Sequence, residues 1–128
     1  MTTIQQQVVG TQMALKLKKS GVPQDAVFFW ALVLPNATWK LVSKSSLAMI
    51  SHADAAAAFS VAELGDFFPD DFNISYKRVA RDSYMRSSVD CYDANENKTW
   101  KLYPKRTNEA DARAHMLDLL VVGGFITL

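Results

Sequence analysis

The sequence predicts an α+β fold: one domain over residues 1–128, with a mostly antiparallel sheet of about five strands and helices packed on one face, in the order α-β-β-α-β-β-β-α. Three observations predict it. Residues 27–34, Val-Phe-Phe-Trp-Ala-Leu-Val-Leu, are apolar on both alternate faces and end at Pro35-Asn36, the pattern of an interior strand covered on two sides. The strand-like runs that follow are joined by short turns, which pair neighbours antiparallel. Helix-start signals at Ser60 and at Thr107-Asn108 stand apart from those runs.

Taken in order, residues 4–20 read as a helix closed by Gly21, with Pro23 beyond and Lys16, Lys18 and Lys19 in the last turn. Its apolar residues fall on two sides: Ile4, Val8 and Leu15 on one, Val9, Met13 and Leu17 on the other. A helix apolar on two sides either lies under a loop or meets a second chain, and the expected partner is an unknown protein or a second copy, through Ile4, Val8 and Leu15. The interior strand turns at Pro35-Asn36-Ala37 into Thr38-Trp39-Lys40-Leu41-Val42 as a hairpin. Residues 45–59 stay open between helix, favoured by the alanines at 55–58, and an extended lead-in through Phe59. Ser60-Val61-Ala62-Glu63 is a capping box that starts a short helix over 61–68, ended by Pro69. Strands follow over 72–79, 83–93 and 99–103, the last two joined by an Ala-Asn-Glu-Asn-Lys turn. A helix over 109–122 then stops at Gly123-Gly124, leaving an apolar tail of four residues.

Composition narrows the function classes. Fourteen basic and thirteen acidic residues leave a net charge of +1, too even to draw nucleic acid or anionic lipid by its field. The single cysteine, Cys91, allows no internal disulfide and fits a reducing compartment. No signal-peptide pattern opens the chain and no apolar run reaches the roughly 20 residues of a membrane span, so a cytoplasmic location is expected.

Four groups of residues bear on chemistry. Tyr84, Arg86, Asp90 and Tyr92 alternate along one face of a strand whose other face carries Met85, Val89 and Cys91. Tyrosine and arginine bury much area while keeping a polar handle, so this is the leading binding face. Nearby bases (Lys77, Arg78, Arg81, Lys98, Lys101, Lys105, Arg106) suggest a single-stranded nucleic-acid surface, although acids offset them and no RNP-like run is present. Asp111, His115 and Asp118 share one polar stripe of the last helix, a spacing that suits a divalent metal if another element adds ligands. The plainer reading is a solvated stripe opposite Ala110, Ala114, Leu117, Leu120 and Val121. Arg113 is expected to lay its stem along the core edge. Ser51, His52 and Asp54 hold the letters of a triad, but roles of that kind need separate elements to converge. Cys91 reads as a buried, inert thiol. No phosphate-binding glycine loop, C-x-x-C, G-x-S-x-G or H-E-x-x-H occurs, and no cofactor is expected.

Thr38-Trp39-Lys40-Leu41 recurs as Thr99-Trp100-Lys101-Leu102, each followed at a distance by Ala-Asp-Ala (53–55 and 110–112), which raises a duplicated hairpin–helix unit. Return strands of hairpins favour the same residue types without duplication. Finally, Leu15-Lys-Leu-Lys-Lys-Ser-Gly21-Val-Pro23, Phe28-Phe-Trp30, Ser60-Val-Ala-Glu-Leu-Gly-Asp-Phe-Phe-Pro69 and Ala110-Asp-Ala-Arg-Ala-His-Met-Leu-Asp-Leu-Leu120 together resemble small uncharacterised proteins of phage, prophage and Bacteroides-type genomes. The chain departs from them in having Phe59 where a proline is usual and no tryptophan in the last helix. The resemblance implies an α+β domain of mobile-element origin and assigns no activity or site residues. With no assembled catalytic set, the expectation is a non-enzymatic binding or interaction module. The alternatives are a small metal-dependent or nucleotide-processing enzyme using Asp111, His115 and Asp118, and a single-stranded nucleic-acid binder.

Overall fold

The protein is described here from a computed structural model, which covers residues 3–81, 84–104 and 108–128, with side chains for 3–78, 87–104 and 108–128. The helix expected over 4–20 is two helices, α1 (Ile4–Gln7) and α2 (Thr11–Lys19), with Val8 and Val9 extended between them. Two adjacent β-branched residues followed by glycine favour that break, because valine loses side-chain freedom in a helix and Gly10 suits an N-cap. Val8 instead bridges antiparallel to Ser60, and the Val9 N–H donates to the Phe59 carbonyl at 2.9 Å. At the other end of α2 the expected stop is present. Gly21 adopts φ +93°, the Val22 N–H reaches back to the Leu17 carbonyl at 3.1 Å, and Pro23 follows.

The expected single sheet of about five strands is instead two antiparallel sheets of three. The first is formed by β1 (Phe28–Val33), β2 (Thr38–Ser43) and β3 (His52–Ala57), in the order β2-β1-β3. The doubly apolar strand therefore does sit at the centre of its sheet. Phe29 and Ala31 are buried, whereas Phe28, Trp30 and Leu32 are half-buried, so one side is only partly covered. The Trp30 indole N–H donates to the Val9 carbonyl at 2.8 Å, which anchors that side to the α1–α2 link. Residues 45–59 resolve mostly as extended chain: one turn of helix, α3 (Lys44–Leu47), then β3. Ala56, Ala57 and Ala58 are fully buried there. Packing decides against their helix propensity, since small side chains let α2 lie close on β3.

The second sheet holds β4 (Phe72–Arg81), β5 (Tyr84–Asp93) and β6 (Lys98–Leu102), with β5 central. Between the sheets in sequence lies α4 (Val61–Gly65), whose capping box is complete: Ser60 Oγ accepts from the Glu63 N–H, and Glu63 Oε1 from the Ser60 N–H at 2.9 Å. The last helix, α5 (Glu109–Val122), is capped by Asn108 and ends at Gly123 as expected. It packs on β4 and β5 of the second sheet, on α2 and on α4, while α2 packs on β3 of the first. The helices thus join two sheets rather than cover one face of a single sheet. That placement explains why α5 is buried around most of its girth, with Ala110, Ala112, Ala114, Met116, Leu117, Asp118 and Leu120 all inside. Removing one such leucine side chain costs on the order of 2–5 kcal/mol.

The repeated Thr-Trp-Lys-Leu does not mark a repeated unit of structure. Both copies lie in return strands after four-residue turns, over 34–37 and 94–97, that end on a residue of positive φ, Ala37 and Asn97. Counted from those turns the copies are one residue out of step, so Trp39 pairs with Leu32 while Trp100 pairs with Cys91. A shift of one residue exchanges the two faces of a strand. The Ala-Asp-Ala segments fall in β3 and in α5, which are different kinds of element.

Candidate functional site

The second sheet has one inward and one outward face. Ser87, Val89, Cys91 and Asp93 of β5 are buried beneath α5, flanked by half-buried Phe72, Ile74 and Tyr76 of β4 and Trp100 and Leu102 of β6. The residues between them point outward: Asn73, Ser75 and Lys77 from β4, Ser88, Asp90 and Tyr92 from β5, Thr99 and Lys101 from β6. Six of these eight are exposed, and Ser88 and Asp90 are half-buried among them. Register places Asp90 between Ser75 and Lys101, and Tyr92 between Asn73 and Thr99. The Tyr92 hydroxyl donates to Asn97 Oδ1 at 2.9 Å, which fixes the ring over the β5–β6 turn. Lys101 Nζ stands 3.9 Å from Asp90 Oδ2, a loose pair. The other carboxylate oxygen, Asp90 Oδ1, is shut off from solvent and has no hydrogen-bond partner among the described residues. Tyr84 and Arg86 occupy β5 positions paired with Arg81 and Val79, and their side chains lie outside the described residues. So do Lys105 and Arg106 of the expected basic group, and the side chain of Arg81.

The stripe Asp111, His115 and Asp118 is not solvated as expected; it is the seam between α5 and α2. Gly10, the N-cap of α2, has no side chain to satisfy the helix start, and its own N–H donates to Asp111 Oδ1 at 2.7 Å. A Cβ on Gly10 would stand 3.3 Å from Asp111 Oδ2, so the close approach uses the missing side chain. Asn108 supports the same link, its Nδ2 donating to the Val8 carbonyl at 2.9 Å while its Oδ1 accepts from the Asp111 N–H. At the far end of α2 the Ser20 hydroxyl donates to Asp118 Oδ1 at 2.6 Å, and Lys16 Nζ lies 3.6 Å from Asp118 Oδ2. One face of α5 therefore grips α2 at both ends.

Burial acts on the titrating members of that seam in opposite directions. It raises the Asp111 carboxyl above its ordinary value, more than the Gly10 N–H and the charge of His115 lower it. It lowers the His115 imidazole, against the pull of Asp111 and Asp118 and with the push of Lys16. His115 and Asp111 also line a cleft of about 400 Å³ with the first turn of α2. Both carboxylates are already committed to α2, and no group of three His, Cys, Asp or Glu side chains among the described residues is placed to hold a metal ion.

The remaining candidates are structural. Cys91 is fully buried, and burial with the nearby Asp93 charge pushes its thiol up to about 12, far from a reactive thiolate. Asp93 is itself buried and accepts from the Asn95 N–H at 3.0 Å inside the turn. Ser51, His52 and Asp54 do not converge: His52 Nδ1 meets the Ile50 carbonyl, while Asp54 accepts from Lys18 Nζ at 2.9 Å, which holds its carboxyl below the usual range. Arg113 is half-buried with its Nε donating to Glu109 Oε2 at 2.9 Å. Ile4, Val8 and Leu15 do not form a common surface for self-association. Ile4 is exposed on α1, Val8 is buried in its bridge to Ser60, and Leu15 packs against the core from α2. The break at Val8-Val9-Gly10 removes the continuous helical phase that would align them. Among the described residues no helix is long and apolar enough to cross a membrane.

Compared with protein-family models, with curated proteins and with solved structures, the chain matches none.

Proposed function

We propose that the chain is a non-enzymatic interaction module that captures a protein partner through the outward face of β4, β5 and β6. Asp90 and Tyr92 form the centre of the contact, and Tyr84 and Arg86 extend it along β5. The observation that carries this reading is that Asp90 Oδ1 has no hydrogen-bond partner among the described residues, at the middle of a face exposed at six of its eight described positions. An acceptor left so costs about 1–3 kcal/mol, and a partner that turns the Asp90 carboxylate outward to meet its own donor returns that cost. Tyr92 supplies a ring whose polar end is already fixed by Asn97, so little side-chain freedom is lost on contact. No comparable observation favours the enzyme reading of Asp111, His115 and Asp118, whose carboxylates hold α2.

The test is capture from lysate of a phage-bearing bacterial host by immobilised wild type, by the triple Tyr84→Ala, Arg86→Ala, Tyr92→Ala variant and by Asp90→Ala. Circular dichroism melts of each variant are compared with the wild type, so that loss of capture is separated from loss of folding. A defined protein captured by the wild type and lost from both variants is the expected result. Equal capture by all three overturns the reading. Captured material that disappears with nuclease and salt moves the same face to single-stranded nucleic acid.

A further inference from the structure

A second surface, built from other elements, carries an independent inference. A groove of about 930 Å³, opening broadly to solvent, runs between the segment leading into β1, the start of α3 and the end of α4. Its floor is apolar, from Pro23, Val27 and Phe67. Val27 is the notable member: it is 61% exposed, although its backbone is fixed on both sides. Its N–H donates to Glu63 Oε2 at 3.0 Å on the α4 wall, and its carbonyl accepts from the Lys44 N–H at 2.9 Å on the α3 wall. Phe67 is held by an edge-on contact with buried Phe59 at 5.2 Å. The groove is thus an exposed apolar strip whose backbone is tied to both walls.

Its rim is acidic. Asp25, Glu63 and Asp66 face one ammonium, Lys44, which is already paired with Asp25 at 3.0 Å. Glu63 is used by Ser60 and Val27. Asp66 has no side-chain partner among the described residues and caps the C-terminal end of α4, where the last carbonyls also favour a cation. An apolar strip with an uncompensated negative rim selects its occupant by charge. So wide an opening would leave most of a small molecule in water, whereas an extended peptide segment covers it. We infer that this groove docks a short cationic segment of a partner protein, in which an apolar anchor covers Val27 and Phe67 and a flanking lysine or arginine meets Asp66.

Two designed twelve-residue peptides test this on the isotope-labelled protein by NMR at physiological salt: both carry a Leu-Phe anchor, one flanked by Lys and Arg, the other by Asp and Glu. The cationic peptide should shift the amides of Val27, Asp66 and Phe67 saturably, and the acidic one should not. The double variant Asp25→Asn, Asp66→Asn removes exposed charge without touching the backbone ties, and should weaken the cationic peptide by about tenfold, mostly through lost steering and pairing. The inference is overturned if neither peptide moves these amides, if both do so equally, or if the double variant binds as tightly as the wild type.

Discussion

Asp111 at the α2–α5 seam carries a testable consequence at the scale of one side chain. Its Oδ1 accepts the N–H of Gly10 at 2.7 Å across 101 residues of sequence, doing for this N-cap N–H what the third helical residue's side chain does in a capping box. Burial disfavours its charge but the acceptor is needed. Asp111→Asn keeps an acceptor oxygen and removes the buried charge, so it should leave stability within about 0.5 kcal/mol of wild type. Asp111→Ala strands the Gly10 N–H and should cost about 1–2 kcal/mol, read as a fall in the urea midpoint at unchanged slope. The sequence shows the i, i+4, i+7 spacing of Asp111, His115 and Asp118 but not its purpose. A polar stripe looks alike whether it meets water, a metal or another helix, and only the position of Gly10 and Ser20 tells them apart. By contrast the buried, unreactive state of Cys91 is legible from its alternation with Val89 alone.

Elements follow the same division between local and distant causes. The capping box at Ser60, the Asn108 cap, the Gly21 stop and the end of α5 at Gly123 are all readable, because each is written in a few adjacent residues. The extended run of alanines in β3 is not, since α2 far along the chain decides it for Ala56 and Ala57, and the α1–α2 break is only half so: Val8-Val9-Gly10 favours it locally, while the bridge to Ser60 gives Val8 its partner. The tail after α5 depends on a glycine in a different way. A Cβ on Gly123 would come within 2.9 Å of the Phe125 ring, which meets Trp100 in a tilted contact at 5.0 Å and lies 4.5 Å beneath Lys98 Nζ. Gly123→Ala should therefore push Phe125 off Trp100, changing the tryptophan band in near-ultraviolet circular dichroism and lowering stability by about 1 kcal/mol. An unchanged band would mean that the tail docks without that glycine.

For the whole molecule, the central position of β1 is correctly forecast by its two apolar faces, and the α+β class with it. The division of the strands into two sheets is not, because strand patterns specify which face is buried but not which sheet a strand joins. Sandwiching α5 between layers has a pH signature. His115 stays neutral in the fold below the ordinary imidazole value near 6.5, so the unfolded chain binds the proton first and stability falls as pH drops through that value. Asp111, raised above 3.8, works oppositely: its contribution is full below the carboxylate's ordinary value and is lost as pH rises through the folded one. Urea midpoints between pH 5.5 and 7.5 should rise with pH, and His115→Gln should flatten that slope. A slope unchanged in the variant would assign the effect to other groups.

The split into two sheets has one more consequence. A single ribbon of strands has two free margins, whereas two ribbons of three have four: β2, β3, β4 and β6. Each offers unpaired peptide groups to any other extended chain. The margin at β3 is blunted, with Gln24 occupying the Ala57 N–H at 2.8 Å and Val8 bridging just beyond at Ser60. Lysines stud the others, Lys40 on β2, Lys77 on β4, Lys98 and Lys101 on β6. Repulsion between like charges opposes the zipping of copies along such borders, so acetylating the lysines should raise the scattering mass, and an unchanged mass would mean that those charges are not what guards the edges.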